Sequence, residues 1–147
     1  MILDAIKRHI EETEPLLDQL TDSILFEKPV DSGKSVGELV LHFIRALEYY
    51  PQGMIKDDWA FLPYTLDDFN TAVKIKSLYQ TVKKTVLNYI DVLGKKNLSD
   101  PVNHINSKPT IERLLFEMLE HSVQHRGQLL VYYRILGIEA VKMPYLI

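Results

Sequence analysis

Two histidines one helical turn apart, His121 and His125, and a third at His42 are the residues of this 147-residue chain whose type and spacing best suit chemistry. On a helix, positions i and i+4 lie about 40° apart and one turn along, so both imidazoles can point at a common ion. His42 falls between Leu39 and Ala46 on the apolar stripe of another predicted helix, and side-by-side packing of the two helices would add a third ligand. Neutral imidazole favours zinc, nickel, copper or iron over magnesium or calcium. A single histidine on an apolar face is more often a buried residue bonded to a backbone carbonyl. Three inward imidazoles weigh against that reading, because each would need its own polar partners and each failure costs about 1–3 kcal/mol. His9, beside Ile10, has an ambiguous helical phase, and His104 lies in a proline-flanked loop and is expected in solvent. Neither joins the candidate triad.

The elements that must position these residues are four helices. Leu3, Ile6, Ile10, Leu17, Leu20 and Ile24 recur at helical spacing and predict a first helix over residues 2–24. Ser35 with Glu38 three residues on is a capping box that starts a second helix, expected to end or kink at Pro51. A third begins between Asn70 and Ser77, carries Leu78, Val82, Val86, Tyr89 and Leu93, and stops at Gly94. Thr110 caps the fourth, which runs to about Leu136 with Ile111, Leu114, Met118, His121, His125 and Tyr132 predicted inward. Between the second and third helices lies an aromatic connector with Trp59, Phe61, Tyr64 and Phe69. Four amphipathic helices bury their stripes mutually by forming a bundle, so an all-α four-helix bundle is expected, with residues 1–147 as one domain. The apolar tail AVKMPYLI is expected to pack over a bundle end or against a second subunit.

Composition narrows the function classes. Without cysteine, thiolate nucleophiles, iron–sulfur ligation and Cys-based zinc sites are excluded, leaving His, Asp and Glu for any protein-supplied metal chemistry. The amino terminus has neither an apolar core nor a cleavage site of a signal peptide, and no segment approaches the roughly 20 apolar residues of a membrane span. A cytoplasmic, membrane-free protein is expected. Net charge is −3, split into −8 over residues 1–73 and +5 over 74–147. The run Lys74, Lys76, Lys83, Lys84, Lys95 and Lys96 reads as a solvated helix face near the acidic first segment, and no nucleic-acid partner is expected.

The segment HSVQHRGQLLVYYRILG, from His121 to Gly137, resembles the last bundle helix of the DinB-like superfamily, also called the DinB/YfiT-like metalloenzymes. SVGELVLHFIRA resembles that family's second helix, whose histidine joins the two of an H-x3-H-R-G-Q motif around one metal. The resemblance implies His42, His121 and His125 as ligands, a divalent ion such as zinc or nickel, a homodimer, and activities that include transfer or isomerisation of low-molecular-weight thiols. The chain departs from its relatives at Lys34, where an aromatic often stands. Of the remaining motif residues, Arg126 is expected in a salt bridge and Gly127 in a close helix contact that compensates its helix cost of about 1 kcal/mol. Trp59, Phe61 and Tyr64 read as satellite core, with pocket lining as the alternative. Glu120 faces about 100° away from His121, which leaves no inward general base. Together these readings suggest a metal-dependent enzyme that activates water or a thiol, with a small-molecule thiol or electrophile as substrate. A non-catalytic, metal-stabilised or ligand-binding bundle is the alternative.

Overall fold

A computed structural model of the chain describes residues 1–145. It is all-α, with α1 at Ile2–Asp18, α2 at Val36–Lys56, α3 at Ala72–Leu93 and α4 at Ile111–Ile135. α1 meets α3 and α4, and α2 meets the same two helices, so the order around the bundle is α1, α3, α2, α4. The connection between α1 and α2 therefore crosses the bundle end. Ile6, Ile10, Val40, Ile44, Ile75, Val86, Leu114 and Leu115 lie at the centre, each almost wholly removed from solvent.

α1 is shorter than its apolar stripe. The chain leaves the helix after Asp18 and makes only a short 3-10 turn at Asp22–Ile24. Local polar side chains take over here: Thr21 and Ser23 share a hydroxyl hydrogen bond of 2.9 Å, and the Asp22 carboxylate accepts from the Ala72 amide at the start of α3. Such bonds compete with helical ones. Leu20 and Leu25 remain buried, so the apolar pattern persists without the helix.

α2 opens with the expected capping box, Ser35 accepting from the Glu38 amide and Glu38 accepting from that of Ser35. It does not end at Pro51. The helix continues through that residue to Lys56 and closes at Asp57 in a left-handed conformation, φ 54°. Proline costs one backbone hydrogen bond, but burial of Pro51 and packing of Trp59 against Gly53 hold the last turn in place. α3 and α4 start at Thr71 and Thr110, whose hydroxyls accept from the Lys74 and Arg113 amides.

The aromatic connector is tied down. The Tyr64 hydroxyl donates to Glu48, the Arg45 guanidinium donates to the Tyr64 carbonyl, and the Trp59 indole donates to the Asn103 carbonyl. Trp59 and Tyr64 pack against the core, whereas Phe61 is exposed and stacks on Tyr49. The lysine-rich α3 does face the acidic first helix: Lys83 pairs with Glu14 at 2.6 Å, and Lys7 of α1 with Asp91 at 2.7 Å. The tail lies on its own bundle as far as Tyr145, with Gln19 bonding both Glu139 and Val141; Leu146 and Ile147 are outside the described residues. No described helix is long and apolar enough to cross a membrane.

Candidate metal centre

The seam between α2 and α4 brings His42, His121 and His125 together, each offering a ring nitrogen within 4.8 Å of the others. The His42 and His125 Nε2 atoms lie 3.1 and 3.0 Å from the Nε2 of His121. The three rings pack edge to face, with centroids 4.3–5.0 Å apart. Ile111, Leu114, Met118 and Tyr132 are buried as expected, and the two histidines alone depart from the inward phase expected for α4. Ser122 and Arg126 occupy the centre of the buried stripe, and the two histidines sit half-buried at its edge, where α2 passes.

Hydrogen bonding among the imidazoles cannot account for this convergence. An imidazole nitrogen either donates once or accepts once. His125 Nδ1 lies 2.6 Å from Gln128 Oε1, and because an amide oxygen only accepts, that nitrogen carries the proton and Nε2 keeps its lone pair. If His121 Nε2 donates to that lone pair it cannot also accept from His42; if it accepts from His42 it has nothing to give His125. One close contact is left unsatisfied in either case. A cation accepts all three lone pairs at once, and metal–nitrogen bonds of about 2.1 Å place neighbouring ligands roughly 3.0–3.4 Å apart. The residues present therefore fit a metal.

Electrostatics act in the same direction. Burial, followed by the neighbouring His125, His121, Lys34 and Arg45, holds His42 down to about 4. Burial and then His125 bring His121 to about 4. Both are neutral at physiological pH, the form in which imidazole ligates. Tyr50 flanks the site, its ring centroid 6.5 Å from that of His121.

Other sequence expectations fare differently. His9 is buried, 3% exposed, but lies apart from the triad against Phe43, and neither ring nitrogen has a partner among the described residues. His104 is not free in solvent; it packs edge to face on Trp59 at 4.5 Å. Arg126 makes the expected salt bridge, to Glu12 at 3.9 Å, but does so buried, at 5% exposure, where it also donates to the Tyr145 hydroxyl. Gly127 has no close helix contact, since a Cβ there would meet nothing within 4 Å. Trp59, Phe61 and Tyr64 contribute no ligand to the triad. The part played by Gln128 was legible in principle, because it stands three residues after His125, on the same helical face.

A sequence profile of the DinB superfamily matches residues 5–129, from α1 into the second half of α4, a span that includes all three histidines. The chain belongs to the DinB superfamily. It is similar to the uncharacterized protein YjoA of Bacillus subtilis (strain 168), 25% identical over 132 residues that cover 88% of this chain and 84% of YjoA. The crystal structure of that DinB-like protein superposes with a TM-score of 0.78 at 22% identity, over 98% of this chain and 95% of its own. A DinB-like protein from Bacillus cereus ATCC 10987 gives 0.79 at 19% identity, over 96% and 94%. These likenesses establish the DinB-like fold.

Proposed function

We propose that this DinB-superfamily protein holds one divalent transition metal, zinc or nickel, through His42, His121 and His125. We further propose that it uses an open coordination position to activate water or a small-molecule thiol, in reactions of the hydrolase or thiol S-transferase type. The observation that carries this reading is the convergence of three Nε2 atoms that no placement of imidazole protons satisfies together. Structural zinc sites close with four protein ligands, and the described residues bring three together, which supports an open position. A divalent ion bound there supplies Lewis acidity and a lowered pKa to the nucleophile.

The chain's own residues supply the rest. Gln128 holds the proton on His125 Nδ1 and so aims the Nε2 lone pair into the triad. Burial keeps His42 and His121 unprotonated. Substrate approaches through the groove of which His125 forms part of the wall.

Elemental analysis of protein purified without affinity tag or chelator tests the first half. About one zinc or nickel per chain is expected, with loss of stoichiometric metal in His121→Ala and a lower melting temperature after chelation. Retention of one ion per chain by the triple His-to-Ala variant would refute the assignment. For the second half, cobalt-substituted protein should develop a thiolate-to-metal charge-transfer band when a low-molecular-weight thiol is added. A closed site would give no such band.

A further inference from the structure

The groove beside the triad carries one charged side chain, Lys34, that is not among the candidate metal ligands. It encloses about 850 Å³ along the α2–α4 seam, with His125, Gln128 and Val131 on the α4 side and Val30, Lys34 and Leu39 opposite. Among the described residues no acidic side chain lines it, and Lys34 is its one lysine or arginine. Among the described residues the Lys34 ammonium takes part in no ion pair. Its backbone is anchored across the seam: the Tyr132 hydroxyl donates to the Lys34 carbonyl at 2.9 Å. Gly33 comes so near that a Cβ there would lie 2.4 Å from the same hydroxyl. The lysine is thus rooted at the groove, and although its charge reaches the Glu38 carboxylate, no contact of ion-pair length ties the ammonium down among the described residues.

The neighbouring helix start offers an anion nothing further. The Ser35 amide donates to Glu38, the Val36 amide to the Glu27 carbonyl, the Gly37 amide to the Leu25 carbonyl and the Glu38 amide to the Ser35 hydroxyl. A phosphate dianion, which draws on several amides or cations, finds no cradle here. A carboxylate needs one ammonium and suits the site. On the opposite wall Gly127 sits exposed in mid-helix with open space where a side chain would project. Glycine is disfavoured at such a position, and no packing among the described residues calls for it. What its absent side chain provides is room in the groove.

We propose that this groove selects small carboxylate-bearing ligands with an apolar body. Lys34 pairs with the carboxylate, Val30, Leu39 and Val131 take the body, and Gly127 leaves the space for it. The inference deepens the metal reading and rests on it only for what happens at the ligand's other end, beside His125.

The deciding measurement is calorimetric binding of 4-phenylbutyrate and its neutral amide, 4-phenylbutanamide, to the full chain, first dialysed free of metal and then loaded with zinc. The metal-free arm prevents a carboxylate–metal bond from mimicking the lysine. The acid is expected to bind metal-free protein about three- to tenfold more tightly than the amide, as a partly exposed charge-assisted hydrogen bond warrants. Lys34→Met should erase that preference and Lys34→Arg restore it. Gly127→Leu should weaken both ligands about tenfold or more, with an unchanged circular dichroism spectrum showing that the bundle persists. Equal affinities for acid and amide, absence of saturable binding, or a preference that survives Lys34→Met would overturn the proposal. An acid preference in protein that takes up no metal would sustain this inference and defeat the metal reading. Stoichiometric metal without the preference would do the reverse.

Discussion

Gln128 decides how well His125 can serve. A histidine ring turns about its side-chain bonds unless its second nitrogen is held, and outer-shell partners of this kind tune ligand affinity about 10–100-fold. Gln128→Leu keeps the side chain's bulk and removes the acceptor 2.6 Å from Nδ1. Zinc affinity, read by competition with a chromophoric chelator, should fall by about that factor while the fold is retained; an unchanged affinity would mean that packing alone orients the ring. At this scale the triad was legible, because two i,i+4 histidines and one on a second apolar stripe are patterns that helical geometry turns into proximity. The burial of Arg126 was not. Its place at the centre of the α1–α4 contact is one residue out of phase with the histidines, and a charged residue there breaks the apolar pattern on which sequence reading depends.

The helices themselves were legible in number and order, and least so at their ends. Pro51 marks the end of a helix by its chemistry, yet α2 runs one further turn because tertiary packing outweighs a single lost hydrogen bond. Gly53 is part of that packing. A Cβ at this position would lie 2.3 Å from the Trp59 ring, and the indole cannot swing away without breaking its 2.7 Å bond to the Asn103 carbonyl. Gly53→Ala should therefore destabilise the protein by about 1–3 kcal/mol despite alanine's better helix propensity, in a denaturant titration. A midpoint equal to or above wild type would show that the connector yields freely. The overextended reading of α1 has the opposite origin: Leu20 and Leu25 are buried by the bundle whether or not the backbone there is helical, so the apolar pattern outlasts the helix.

For the molecule as a whole, acid sensitivity follows from a residue outside the candidate site. His9, on α1, faces Phe43 of α2 and the Arg126 charge of α4; burial first and that charge second lower it to about 4. The unfolded chain takes up this proton near pH 6.5, whereas the folded one resists until about pH 4. Stability from this group is thus complete above the unfolded value and is lost as pH falls from about 6.5 to about 4, by an amount on the order of 3 kcal/mol. His9→Phe fills similar space without a titrating group. Urea titrations across that range should show wild type losing more stability than the variant by about this amount, with His42 and His121 cancelling in the comparison. Parallel pH profiles would rule out the contribution of His9. The charge asymmetry of the sequence also bears on this scale, since the basic third helix lies along the acidic first and Lys83 pairs there with Glu14.

His42 and His121 stand 79 positions apart yet touch across the α2–α4 seam. Considered as a mechanical object, a chain with an ion held at that point is a knotless clasp. Tension applied at the two termini would run along α1 into α2 as far as His42, cross to His121 and leave through the rest of α4. Everything between those histidines, α3 included, would carry no load until the clasp broke. Under force, α1 and the tail would peel first, and the intervening loop would be released in a single later step whose threshold moves with chelator concentration.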